Sequence, residues 1–216
     1  MKQVVVIGGS GFVGTAIVKE ALSRGYTVKT IVRHPEKMSL SDPHLEVIGA
    51  DIMNTEELTG ILKGQLQVIS AYNPGWKNPD IYEDTLKGYT SILEAVRRAG
   101  VRRLLVVGGA GSLLVAPTTR LMDTGTIPEE ILPGVKSLAK VYMDYLRPER
   151  EFDWVFFSPA GSFTQGTRTG HYRLGDDYLI RDQKGESHIS VEDYAMAMID
   201  ELEKPQHHYR RFTIGY

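Results

Sequence analysis

The most constraining feature of this chain lies in its first fourteen residues. Val4-Val-Val-Ile-Gly-Gly-Ser-Gly-Phe-Val-Gly14 reads as a short apolar strand, a glycine turn and the opening of a helix. Gly8 permits a tight exit from the strand. Gly11 lacks a side chain where a pyrophosphate must approach the backbone, and Gly14 lets the helix pack closely on the strand. The helix N-terminus faces the negative charge, so Ser10, Phe12 and Val13 join the three glycines as the candidate dinucleotide-binding turn.

Further apolar runs follow at Val28–Val32, Leu45–Ile48, Val68–Ile69, Leu104–Val107 and Trp154–Phe157. Several are β-branched on successive residues, as strands buried on both faces of a parallel sheet require. Helical spacing separates them: Val13, Ile17 and Ala21, then Tyr89, Ile92, Leu93 and Val96. Strands alternating with helices predict a doubly wound α/β sheet with right-handed crossovers. The pattern is expected to fill residues 1–216 as one domain, with substrate-side loops at about 108–135 and 158–190. In the second loop, Tyr172–Leu174 and Tyr178–Ile180 flank Gly175-Asp176-Asp177 as an expected hairpin. A last helix is expected to open at Ser190, capped by a box with Asp193 and apolar along Val191, Ala195, Met198 and Leu202.

Composition removes several function classes. Apolar residues at 42% and charged residues at 24% exclude wholesale disorder. Twenty-five basic against 27 acidic side chains give a net charge of −2, so binding nucleic acid through bulk positive charge is not expected. The pairs Arg97-Arg98 and Arg102-Arg103 read as the solvated end of a helix. The absence of cysteine excludes disulfides and thiolate chemistry. No run approaches the roughly 18 apolar residues of a membrane span, and no signal peptide precedes Val4. A cytoplasmic protein, monomer or homodimer, with no membrane or nucleic-acid partner, is the expectation. His207 and His208 are adjacent, poor spacing for one metal, and Asp176-Asp177 reads as a turn. No metal site is expected.

The Gly-Gly-Ser-Gly-Phe-Val-Gly core resembles the extended and atypical short-chain dehydrogenase/reductases. Supporting segments are Val32-Arg-His-Pro-Glu-Lys37, Ala50-Asp-Ile52, Asp153-Trp-Val-Phe-Phe-Ser-Pro159 and Ile189-Ser-Val-Glu-Asp-Tyr-Ala195. Within that group the likeness is to small members named NADH-flavin reductases or NAD-dependent epimerase/dehydratase-like proteins. NmrA-like proteins and biliverdin reductase B are more distant. The resemblance implies a Rossmann-type sheet with a small C-terminal appendage on the substrate side. It further implies that Asp51 and Ile52 flank the adenine and that Ser70 and Ala71 pass near the ribose and pyrophosphate. The hydroxyl of Ser112, in Val107-Gly108-Gly109-Ala-Gly-Ser112, would sit beside the nicotinamide.

Cofactor choice is read at the end of the second strand. NAD binders usually place an acid there for the ribose hydroxyls. This chain has Arg33-His34 with Lys37 behind, and a guanidinium suits a 2′-phosphate. NADP is therefore expected over NAD. Lys136 and Lys140 share a helix face and either can reach the nicotinamide ribose. Main-chain groups of Ser158 and Pro159 are expected at the carboxamide.

Many short-chain dehydrogenases carry a Tyr-x-x-x-Lys pair, in which lysine lowers the tyrosine pKa. No tyrosine here has a lysine four residues later; Tyr142 is followed by Leu146. Catalytic candidates are therefore Ser112, Lys140 and Tyr142, with His171 a weaker acid. Trp76, Tyr72 and Phe163 are placed to stack on a planar substrate. The expected activity is NAD(P)-dependent transfer of hydride to a small planar acceptor such as a flavin or quinone, which needs no strong protein acid. The alternatives are a non-catalytic NADP-binding redox sensor of NmrA-like type, or an NAD-dependent epimerase/dehydratase.

Overall fold

The apolar run at the start of the chain forms β1 (Gln3–Ile7), which turns into α1 (Phe12–Ser23). Then follow β2 (Thr27–Val32), β3 (Leu45–Gly49), α2 (Thr55–Leu62), β4 (Gln67–Ser70), α3 (Ile81–Ala99) and β5 (Arg103–Val107). A small antiparallel pair, β6 (Leu114–Ala116) and β7 (Thr119–Arg120), precedes α4 (Leu132–Lys140). α4 runs directly into a π-helical turn at Val141–Leu146. The chain closes with β8 (Asp153–Ser158), β9 (Ser162–Thr164), β10 (Arg173–Gly175), β11 (His188–Ser190), α5 (Val191–Glu203) and β12 (Arg210–Gly215). This computed structural model describes residues 2–216.

Eight strands form one sheet in the order β10-β12-β8-β5-β4-β1-β2-β3, parallel except where β10 meets β12. β1 shows why the run is apolar at successive positions. Val4 and Val6 pack toward α1 and α5, while Val5 and Ile7 pack toward α2 and α3. A strand covered on both faces needs apolar side chains on both. The architecture is the Rossmann-like doubly wound sheet expected, with all six anticipated strands in it.

α5 begins as its sequence predicts, and its apolar residues Val191, Ala195, Met198 and Leu202 are all buried. Ser190 Oγ accepts the Asp193 N–H at 3.1 Å. The reciprocal half of the capping box is not made. Asp193 turns its carboxylate elsewhere, and the Ser190 N–H donates to the Tyr216 hydroxyl at 3.3 Å.

Two expectations are corrected. Tyr172–Leu174 and Tyr178–Ile180 do not form a hairpin: β10 pairs with distant β12, and Tyr178 bridges to Leu114. The stretch 108–135 holds β6, β7, a 3-10 turn at Leu121–Asp123 and the start of α4. Arg103 is not at a solvated helix end. It lies buried in β5, paired with Asp153 and with Glu201 at 2.6 Å, where two carboxylates repay the loss of its hydration. Arg97 and Arg98 do occupy the last turn of α3, though Arg97 binds buried Glu149 at 2.6 Å.

Candidate functional site

The site is built where the strand order reverses around β1, the place open α/β sheets leave a crevice. The Gly8 N–H donates to Ile31 O and the Ala71 N–H to Ile7 O, each at 2.8 Å, so the ends of β2, β1 and β4 are laced together. Gly8 has φ +84°, and a Cβ there would stand 2.8 Å from Ala71 O. A Cβ on Gly14 would stand 2.1 Å from Gly8 O. No side chain fits at either place.

Gly11 differs. A Cβ added there would meet nothing nearer than Gly8 O at 3.4 Å, so the space beside this backbone is open. Ser10, Gly11 and Phe12 are exposed, Val13 half-buried. α1 has no side-chain cap and no acid in its first turn, which leaves its positive end to an outside anion. A diphosphate fits this cradle.

A second group gathers at the ends of β2, β3 and β4. Arg33 is exposed and has no carboxylate within 4.0 Å among the described residues. His34 lies 3.2 Å from Glu36. The Asp51 carboxylate accepts the Met53 N–H at 3.0 Å, shaping the turn that buries Ile52. Ile52 and the Tyr72 ring both pack against Gly88 of α3. Burial raises the Tyr72 phenol pKa, and the charge of Asp84 reinforces the rise. Tyr72 donates to Asp84 O at 3.1 Å, so it walls this end rather than the substrate end. Ser70 is buried, 3.5 Å from the Tyr89 hydroxyl, and Ala71 is half-buried beside Gly8.

Beyond β5 the candidates divide. Gly108 is fixed by its N–H to Phe157 O at 2.8 Å, and Gly109 packs under Leu138. Ser112 is buried, its Oγ and O each accepting from Arg211 Nη1 at 2.9 Å. The Arg211 guanidinium also lies 4.6 Å over the Tyr142 ring and donates to Asp177 at 3.0 and 2.6 Å. Ser112 and Tyr142 are thus joined through Arg211. Burial raises the Tyr142 phenol, against the opposing charge of Arg211, and its ring stacks 5.0 Å from Phe156. Lys140 does not join them. Its ammonium donates to Asp144 at 2.5 Å, which raises its pKa, and Lys136 is exposed. Ser158 Oγ is buried with no partner among the described residues, and Pro159 is buried beside it.

Two aromatic residues flank the turn: Phe12, exposed, meets Phe163 edge-on at 5.8 Å. Trp76 is exposed near Gly134 on α4, and His171 is an exposed loop residue. His207 and His208 serve the buried charge cluster around Arg103, at 2.8 Å from Glu201 and 2.9 Å from Asp153. Among the described residues, Asp182, Glu186 and His188 bring ligand atoms within 4.8 Å of one another. Asp182 already accepts the N–H groups of Lys184 and Glu186, which a plain turn explains.

The appendage is held by Asp193, expected only as a capping residue, and by Glu20 and Arg168, which the sequence did not single out. Asp193 accepts from Thr169 N–H (2.8 Å), Thr169 Oγ1 (2.6 Å), Gly170 N–H (2.8 Å) and Tyr216 (2.6 Å). Burial would raise its pKa, but the hydrogen bonds from Thr169 and Tyr216 bring it below the usual value. Glu20 is likewise opposed by burial and lowered by Arg168 and Arg24. Arg168 binds Glu20 with two bonds of 2.9 Å. Nothing local in the sequence marks the partners of Asp193 or the Glu20–Arg168 pair, which lie 23 to 148 residues apart.

With the geometry in view, the chain was compared with known proteins. A family model described as NAD(P)H-binding matches residues 8–205. The chain belongs to this NAD(P)H-binding family. The cofactor is therefore a nicotinamide dinucleotide, which agrees with the cradle at Gly8–Gly14. A crystal structure from Bacteroides thetaiotaomicron named a "putative epimerase" is 56% identical with TM-score 0.94, covering 100% of this chain and 97% of that one. One from Streptococcus pneumoniae, named a "putative NADH-flavin reductase", is 37% identical with TM-score 0.85, covering 100% and 99%. The uncharacterized protein YwnB of Bacillus subtilis is 39% identical over 216 residues, 98% of this chain and 97% of its own. Mouse sterol-4-alpha-carboxylate 3-dehydrogenase is 32% identical over 170 residues, and the match spans 46% of that protein. Among the described residues no helix is long and apolar enough to cross a membrane.

Proposed function

We propose that this family member is an NADP(H)-preferring oxidoreductase that reduces a small planar acceptor, a flavin or a quinone. The observation that carries the proposal is the pairing of an uncapped glycine turn with unpaired Arg33, where an NAD binder would present a carboxylate. In this reading Gly8, Ser10, Gly11, Phe12, Val13 and Gly14 hold the diphosphate, and Arg33 with His34 receives the 2′-phosphate. Asp51, Ile52, Ser70 and Ala71 line the adenosine half; Gly108, Gly109, Lys136, Ser158 and Pro159 line the nicotinamide half. When bound, the reduced nicotinamide supplies a hydride, and solvent supplies the balancing proton. Phe12 and Phe163 orient the acceptor and keep water from one face. Ser112, oriented by Arg211, keeps its own proton free to donate to the acceptor. The name of the pneumococcal neighbour supports this acceptor class.

The test is parallel NADPH and NADH titration, followed by FMN, FAD and quinone panels. NADPH is expected to bind the tighter, and Arg33→Glu to reverse the preference by about tenfold or more. No consumption above the buffer rate with any acceptor defeats the catalytic reading. A second reading, a redox sensor that binds without turnover, rests on Lys140 lying apart from Ser112 and Tyr142.

A further inference from the structure

A cleft of about 370 Å³ opens away from the glycine turn, lined by Tyr142, Arg147, Arg150, Trp154, Asp177, Tyr209, Arg210 and Arg211. Its walls are the amino-terminal halves of β8 and β12 and the end of the π-helical turn. The dinucleotide cradle occupies the carboxyl edge of the same sheet. Four arginines face one aspartate here, in a chain whose net charge is −2.

Two of the four are balanced: Arg211 by Asp177 at 2.6 Å, and Arg210 by Asp176. The other two are not. Among the described residues, Arg147 and Arg150 have no carboxylate within 4.0 Å. Arg150 is nevertheless held in place, since its Nη1 donates to Arg147 O at 2.7 Å and Glu149 O at 2.5 Å. A guanidinium anchored on carbonyls keeps its charge and its remaining donors for a ligand.

The rim carries a second, independent sign. Tyr209 has φ +54°, the one non-glycine residue in the left-handed region among the described residues, and its ring is exposed. A bulky residue held in that region is strained, and such strain concentrates at ligand clamps. Tyr209 lines the same cleft as the stacked pair of Arg211 and Tyr142, whose guanidinium lies 4.6 Å from the ring.

We propose that this cleft is a second binding site, for a small aromatic molecule bearing a phosphate. Arg147 and Arg150 hold the phosphate, and Tyr209 covers the ring. The site is separate from the dinucleotide cradle and does not depend on the activity proposed above.

The test uses phenyl phosphate, with inorganic phosphate and phenol as comparisons, on the full chain saturated with NADPH so that the glycine turn is filled. Calorimetry should detect phenyl phosphate binding at least tenfold tighter than either comparison. In NMR spectra the indole N–H of Trp154 should shift while that of Trp76, which does not line the cleft and lies beside Gly134 of α4, stays. Arg147→Gln/Arg150→Gln should weaken binding tenfold or more with the same melting temperature and the same NADPH affinity. These side chains are exposed, so the double variant is expected to fold. The proposal is overturned if the wild type shows no binding at millimolar probe. It is also overturned if the double variant binds unchanged, or if binding is competitive with NADPH. Should the protein fail to bind NADPH, the double-variant comparison alone decides the matter.

Discussion

The stretch from β1 to β5 and the stretch from β8 to β12 share one sheet, but they are held in different ways. In the first, apolar side chains on adjacent elements bury one another, and polar groups act close by, as Asp51 does for Met53. In the second, single charged side chains reach across the chain. Arg211 binds Ser112, 99 residues away; Asp193 gathers Thr169, Gly170 and Tyr216; Asp153 and Glu201 reach back to Arg103 of β5. The first half presents backbone to a ligand common to a whole family. The second depends for its order on few, long-range bonds.

That contrast can be broken most sharply at Arg103. Arg103→Met leaves Glu201 and Asp153 buried without their cation, and the loss should be about 3–5 kcal/mol, read from the denaturant midpoint. Gly14→Ala tests the other half. Its Cβ would collide with Gly8 O, so dinucleotide affinity should fall at least 100-fold, about 2.7 kcal/mol, by fluorescence titration.

Asp193→Asn sharpens the comparison by loosening the appendage alone. A loss of about 1–3 kcal/mol is expected near neutral pH, with the change in hydrogen exchange confined to residues 165–172 and the chain end. The Asp193 pKa is depressed in the folded protein, so its contribution is complete above about pH 4 and fades as pH falls through the folded value. The wild-type and variant melting curves should converge on the acid side. The smallest effect belongs to Ser112→Ala, expected to cut turnover about tenfold while leaving NADPH affinity unchanged. Equal turnover would remove Ser112 from the chemistry.

Legibility in the sequence follows the same division. Six strands, the glycine turn and the cap at Ser190 are marked by local spacing, and each forms as expected. β12 is not marked. Arg211 has no local signal, since its partners Asp177 and the Ser112 carbonyl lie 34 and 99 residues away. The expected hairpin at Gly175 failed for the same reason. Its partner Thr213 is supplied by the last strand, and adjacency in sequence says nothing of that. The candidate site was legible where backbone shapes it and illegible where remote side chains hold it in place.

The grip of Glu20 on both Arg24 and Arg168 ties α1 to the 158–190 segment. Engineers who graft that segment from a relative to change the acceptor would import a new counterpart for position 20 unawares. Transplants that carry the matching α1 should express and keep their coenzyme; those that do not should lose both traits together. Any such exchange must therefore treat positions 20 and 168 as one unit.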